Sequence, residues 1–175
     1  MTLDGSLRHQ MVLPQQQDFY AYWQAKCEGG RLPSRRDIDP CDIVDKLPMV
    51  TLTERVPAAA PEVSDLSHRY VFRLAGTGFW RFYGDEIQGM HVDELPIGCR
   101  ADYWHRVLDL VVSQRRPFHG VTKPNTPMGS HMAQFWVRLP LSEDGVNVDT
   151  ILGYDHLCPL EDVVQRQEPR EKVYA

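Results

Sequence analysis

Several kinds of signal are missing from these 175 residues, and each absence closes off a class of function. No apolar run approaches the roughly 18 residues that cross a bilayer as a helix. The stretch Met1 to Gln17 is polar and lacks the apolar centre of a secretory signal, so the expectation is a cytoplasmic chain with no membrane association. Basic excess is also missing: 19 Lys and Arg face 24 Asp and Glu, a formal charge of −5. A general nucleic-acid binder would show a basic surface instead. Arg35-Arg36 and Arg115-Arg116 are only pairs, of the kind found on solvated surfaces. The four cysteines, Cys27, Cys41, Cys99 and Cys158, are far apart with no CxxC spacing. They read as single reduced thiols rather than a disulfide frame or a zinc site.

Catalytic signatures are equally scarce. The histidines show no HExxH spacing, and there is no Gly-x-Ser-x-Gly elbow. Ser130 and His131 are neighbours in a Gly-rich loop, but triad partners meet in space rather than along the chain. Asp37, Asp39, Asp42 and Asp45 do not form a calcium loop, because Pro40 and a helix start interrupt the alternating oxygen ligands such a loop needs. The chain is too short for the dimerisation helices and ATP-binding domain of a histidine kinase. The expectation is no enzyme, no catalytic residue and no metal site.

What is present is a dense run of punctuation, Gly29-Gly30-Arg31-Leu32-Pro33-Ser34-Arg35-Arg36-Asp37-Ile38-Asp39-Pro40-Cys41-Asp42-Ile43. Gly29-Gly30 offers the left-handed backbone that ends a helix. Asp39 is placed to cap a new one with Pro40 at its first position, and Asp42 to complete a reciprocal cap. Before this run, Phe19, Tyr22, Trp23 and Cys27 share one helical face across Gln16 to Cys27. After it, Leu47 to Val56 reads as a strand and Pro57 to Ser67 as a loop. Tyr70, Phe72 and Leu74 then alternate with Val71, Arg73 and Ala75, the period of a half-buried strand. Phe79 to Tyr83 forms a short aromatic turn or helix.

A longer helix, capped by Asp102, runs to Gln114 with an apolar stripe through Trp104, Leu108 and Val111. Three strands follow: Phe118 to Lys123, Ala133 to Leu141 and Val148 to Tyr154, the last two joined by the turn Ser142-Glu143-Asp144-Gly145. Two strand groups separated by helices predict an α+β fold, an antiparallel five-stranded sheet with helices on one face and an extra N-terminal helix.

Residue strings carry a resemblance beyond this order. Arg31-Leu32-Pro33-Ser34-Arg35 through Asp37-Ile38-Asp39-Pro40, Asp42-Ile43 and Leu47-Pro48 resembles the opening of a single-domain bacterial subfamily of PAS domains. Similar too are Tyr70-Val71-Phe72-Arg73-Leu74-Ala75-Gly76-Thr77, then Tyr83-Gly84, Gly89 and Leu139-Pro140-Leu141-Ser142 with Gly145. The resemblance covers about residues 16–155, a helical extension at 16–48 and a PAS core at 49–155; composition makes 1–15 a mobile leader and 156–175 a charged tail. The resemblance also implies a sensory or protein-interaction module in bacterial signal transduction, without chemistry of its own.

A sheet crossed by helices leaves a small apolar chamber, the usual seat of a small ligand. Candidate lining residues are Phe72, Leu74, Phe79 and Trp80, with Trp104, Leu108, Phe135 and Ile151. Which face of each strand meets the helices is not fixed by the sequence, since a one-residue slip inverts it. Some PAS domains hold haem through a histidine on the long helix, but His105 falls at the edge of the apolar stripe as a half-exposed flank, which disfavours haem. Flavin photochemistry is disfavoured because Gly89-Met90-His91 is followed by Val92 and not by a cysteine, and Cys99 comes too late. Phe19, Tyr22 and Trp23 form a candidate interface, for self-association as a dimer or for a protein partner. The alternative to ligand sensing is thus a ligand-free scaffold acting through that aromatic helix.

Overall fold

The computed structural model describes residues 11–58, 67–126 and 129–162. Its centre is a sheet of five strands: β1 (Val50–Pro57), β2 (His68–Ala75), β3 (Phe118–Thr122), β4 (Met132–Leu141) and β5 (Thr150–Pro159). Their spatial order is β2-β1-β5-β4-β3, and every neighbouring pair is antiparallel. The β1–β2 hairpin and the β3–β4–β5 meander therefore meet where β1 joins β5. Among the described residues three α-helices accompany the sheet: α1 (Pro14–Ala25), α2 (Gly78–Tyr83) and α3 (Arg100–Gln114). The predicted α+β class holds.

Both faces of the sheet are covered. Residue parity decides what each face buries, because side chains alternate along a strand. Leu52 opposite Leu152, Val50 opposite Tyr154, and Val137, Leu139 and Leu141 of β4 face α1, where Phe19, Tyr20 and Trp23 complete an apolar layer. The other parity faces α3, which lies against β2, β3 and β4 as the sequence predicts. Trp104, Val107, Leu108 and Val111 of α3 pack there on Tyr70, Trp136 and Ile151.

A register shift between Leu52 and Thr53 complicates β2. Leu52 pairs with Leu74 but Thr53 pairs with Phe72, so Arg73 is an extra residue in the strand. Such a bulge flips the parity beyond it. Phe72 therefore packs on the α3 side and Leu74 on the α1 side.

Local expectations fare unevenly. Gly29 and Gly30 adopt φ of 59° and 83° beyond the end of α1, as the double glycine predicts. Asp39 does cap, its Oδ1 accepting from the backbone of Cys41 at 2.8 Å, but the element it starts is one 3₁₀ turn, Pro40–Ile43. Asp42 does not reciprocate; it accepts from Lys26 at 3.2 Å. The reciprocal cap belongs instead to Ser34 and Asp37, whose Oδ2 accepts from the Ser34 backbone at 2.8 Å. Leu47–Met49 is a 3₁₀ turn rather than strand. Cys99, not Asp102, precedes α3, and Asp102 sits in its first turn, where the helix dipole favours a carboxylate.

The boundaries shift as well. Met11 and Leu13, assigned to a mobile leader, are each 2% exposed and packed under the sheet. At the other end β5 continues to Pro159, beyond the expected limit at 155. The rest of the leader (1–10), of the expected loop (59–66) and of the tail (163–175) lies outside the described residues.

Candidate functional site

The α3 side of the sheet is built differently from the α1 side. The α1 side buries mainly hydrocarbon and aromatic rings, with Gln16 as a buried polar side chain whose amide is bonded to the Trp136 carbonyl. On the α3 side, Thr51 and Thr53 alternate with Val50 and Leu52, Gln134 and Arg138 flank Trp136, and Asp155 ends the row on β5. All five polar residues are buried, with Asp155 fully inaccessible.

Three strands bring the polar groups together. Gly153 of β5 pairs with Thr51 on one side and Arg138 on the other. Its missing side chain is what lets them approach. A Cβ there would meet Thr51 Oγ1 and stand 3.2 Å from Arg138 Nη1. The Arg138 guanidinium lies 4.8 Å from the Trp104 ring centroid and 5.8 Å from that of Trp136. Cation–π attraction favours both contacts. Arg138 Nη1 donates to the carbonyls of Val137 at 2.9 Å and Tyr154 at 3.3 Å. Arg138 Nη2 donates to Asp155 Oδ1 at 3.1 Å and lies 2.9 Å from Oδ2. Gln134 adds a donor to Oδ1 at 2.7 Å.

Above this floor is a chamber. Its apolar wall comes from Phe72 of β2, Phe79 and Tyr83 of α2, Trp104 and Leu108 of α3, and the segment carrying Ile87, Val92 and Leu95. Thr51, Thr53 and Arg138 form its polar end. The space left is about 20 Å³, room for a single water. Several polar atoms around it lack a hydrogen-bond partner: Thr51 Oγ1, Trp136 Nε1 and Asp155 Oδ2 by geometry. Asp155 Oδ2 nonetheless lies within ion-pair distance of Arg138, so its charge is compensated even though that contact is poorly aligned. Thr51 Oγ1 is the orphan that lines the chamber, whereas Trp136 Nε1 has the Tyr103 hydroxyl beside it. Burial raises the Tyr83 phenol above its ordinary pKa, so the chamber wall stays uncharged.

The structure sorts the predicted lining residues by parity and exposure. Phe72, Phe79, Trp104 and Leu108 line the chamber, and Ile151 is buried on the same face. Three do not belong. Trp80 points outward and is 62% exposed, because the chamber side of α2 is taken by Phe79 and Tyr83. Leu74 is moved to the opposite face by the Arg73 bulge. Phe135 lies on the other parity of β4, packed with Leu13 and Ala133.

The proposed interface also changes. Phe19 and Trp23 are fully buried against the sheet, and Trp23 Nε1 donates to the Pro140 carbonyl at 3.0 Å. Tyr22 is partly buried, its hydroxyl accepting from the Asp39 backbone at 2.8 Å. No exposed aromatic stripe therefore exists on α1. His105 is only 5% exposed rather than a half-exposed flank. It packs edge-on to Tyr70 at 5.4 Å and lies 4.0 Å from Asp93. Desolvation lowers its pKa despite the nearby carboxylates of Asp93 and Asp109, which keeps the ring neutral.

Sequence reasoning named none of the polar floor. Its signal was nevertheless present: in a ten-residue strand whose odd positions are all apolar, Gln134 and Arg138 occupy even positions that are also buried. A charge in such a strand marks a face that does more than pack. Among the described residues no cluster of His, Cys, Asp or Glu could hold a metal, and no helix is long and apolar enough to cross a membrane.

No curated protein matches the sequence. Among solved structures, a sensory box sensor histidine kinase from Vibrio cholerae is similar at 19% identity and a TM-score of 0.44, over 67% of this chain and 84% of that one. A light-oxygen-voltage domain studied with a flavin analogue is similar at 13% identity and 0.46, over 72% and 88%. A fungal light-oxygen-voltage photoreceptor is similar at 16% identity and 0.39, over 71% and 95%. The family model for the PAS domain matches residues 11–155, from the buried Met11 to the Asp155 that closes the polar floor. With α1, the chamber and all of the meander up to Asp155 inside that one match, the chain belongs to the PAS domain family.

Proposed function

We propose that this PAS domain is a non-catalytic sensory module in signal transduction. It holds a small ligand in the chamber beneath α3 and passes on its occupancy through contacts with another protein chain. One observation carries the reading. Two faces of one sheet are both covered by helices, yet among the described residues only the chamber face keeps a buried ion pair, Arg138 with Asp155, and beside it the unpartnered hydroxyl of Thr51. Buried ion pairs are weak contributors to stability, and unsatisfied buried groups are costly. A face needed only for packing would resemble the α1 side.

The output route follows from β4. Trp136 places its indole on the chamber side while its carbonyl accepts from Gln16 Nε2 of α1 at 2.9 Å. Pro140, further along the strand, accepts from Trp23. A ligand that moves β4 thereby changes how firmly α1 is held, and it shifts the population of α1 arrangements by its differential affinity for them.

Native mass spectrometry of freshly purified protein, followed by thermal stability across a small-molecule library, tests the reading. A retained or stabilising small molecule that also alters hydrogen exchange in α1 is expected. Ligand-free protein that no compound stabilises would overturn it.

A further inference from the structure

The chemistry of the chamber floor narrows the ligand. We infer that it recognises a small, uncharged, mainly apolar molecule carrying an oxygen hydrogen-bond acceptor, such as a carbonyl, seated against Thr51 and Arg138. This inference rests on the chamber being a ligand site.

Three features lead to it. Thr51 is 1% exposed, lines the chamber and has no hydrogen-bond partner for Oγ1. A hydroxyl buried without a partner is destabilising, and in native proteins it calls for an explanation such as an absent ligand or water. Beside it, Arg138 lines the same end of the chamber, with both Nη groups engaged by the protein. An unpartnered hydroxyl and a guanidinium thus meet at one end of the chamber, which favours an acceptor.

Charge decides which acceptor. Asp155, fully buried, already balances Arg138. A ligand carboxylate would leave a net negative charge in a space walled by Phe72, Phe79, Trp104 and Leu108, and uncompensated buried charge is heavily penalised. A neutral oxygen adds no net charge. The apolar wall then takes the body of the molecule.

Size requires the wall to give way, since only about 20 Å³ is open. The wall between α2 and α3 is made of short pieces. It comprises the six-residue α2 and one 3₁₀ turn, Val92–Glu94, with left-handed glycines at 84 and 89 (φ of 82° and 87°). Among the described residues, backbone pairing of this segment with the sheet is limited to one short stretch, the Val71–His91 bridge with Phe72 N to Met90 O at 3.0 Å and Gly89 N to Phe72 O at 2.7 Å, and the remaining tie is the partly exposed Arg69 side chain on Asp93 and Glu94. Low-stability segments of this kind are the ones that rearrange around ligands.

Three probes of matched size separate the alternatives: acetophenone, ethylbenzene and benzoate, titrated by calorimetry or by NMR into the intact protein and into Thr51→Val. Acetophenone is expected to bind about tenfold more tightly than ethylbenzene, the ~1.4 kcal/mol of one hydrogen bond, and benzoate more weakly than either. Thr51→Val keeps the shape of the side chain and removes only the orphaned hydroxyl. It is expected to cost acetophenone several-fold and leave ethylbenzene unchanged. Equal binding of acetophenone and ethylbenzene, or benzoate binding best, would overturn the acceptor inference while leaving a ligand chamber in place. Failure of all three to bind would overturn this inference, and it would leave the Thr51 hydroxyl to a buried water. Whether the chamber takes any ligand at all is decided by the purified protein and the library.

Discussion

Replacing Arg138 tests whether the polar floor is there for stability. The guanidinium has an 8% exposed side chain, and its partner Asp155 has none exposed. Arg138→Met leaves the carboxylate of Asp155 buried with only the Gln134 amide for company. Removing one partner of a buried pair costs about 3–5 kcal/mol. For a chain of this length that corresponds to a fall in Tm of roughly 6–20 °C. Adding Asp155→Leu removes the stranded charge, so most of the loss should return. What persists is the unpaired Gln134 amide, worth about 1–3 kcal/mol. Gln134→Met in the triple variant then brings stability to within about 1 kcal/mol of the starting protein, or above it, because well-packed apolar replacements of buried pairs are often neutral or stabilising. Urea unfolding of these three variants, and of Asp155→Leu alone, measures this ladder and closes the double-mutant cycle. If the Arg138 and Asp155 losses simply add, the pair is not coupled, and the contrast drawn between the two faces of the sheet fails.

Three further outcomes follow from single contacts. Trp23→Ala empties a fully buried site under the sheet and removes the bond to Pro140; a loss of about 3–5 kcal/mol is expected on urea unfolding, and a loss below 1 kcal/mol would mean α1 does not pack as described. Gly153→Ala pushes a methyl against Thr51 Oγ1 and Arg138; about 1–3 kcal/mol should be lost, partly recovered by adding Thr51→Ala, and no recovery would put the strain elsewhere. His105 has its pKa lowered by burial, against the pull of Asp93, Asp109 and Asp102 and with the push of His68. Its unfolded form therefore takes up a proton first as pH falls below about 6.5, and stability present above that pH is lost on acidification. His105→Phe should lose less stability between pH 7 and pH 5 than the unaltered protein, and an unchanged slope would show that His105 is already free to protonate.

The order of elements was legible because it rests on periodicity. Alternation along Ala133 to Leu141 and the apolar stripe of Trp104, Leu108 and Val111 predict β4 and α3 as elements, with α3 lying across the sheet. Facing was less legible. Phe135 and Trp136 are adjacent, both aromatic and both buried, and only the assembled sheet says that Trp136 meets α3 while Phe135 meets Leu13. Leu74 failed for a different reason, since a bulge at Arg73 carries no composition signal and reverses everything beyond it. Trp80 failed because the six residues of α2 are too few for a helical face to show in the sequence. The polar floor was overlooked because attention to apolar residues treats Thr51, Arg138 and Asp155 as surface. Their burial was implied only by the lengths of the strands that carry them.

The two faces of the sheet explain each other. Met11, Phe19, Tyr20 and Trp23 are all at most 2% exposed beneath the sheet, and full burial of one such side chain contributes about 1.5–3 kcal/mol. A minimal sheet covered on one side would lack that reserve, and the unsatisfied groups of the chamber face would weigh on it directly. The N-terminal helix is therefore what allows β4 to hold Arg138 in its middle. The same strand that bears the chamber's charge is the one α1 grips, through the carbonyls of Trp136 and Pro140. Under the proposed function, stability supplied from one side and sensitivity placed on the other meet in a single strand, and a change in the chamber would reach the helix without any separate relay.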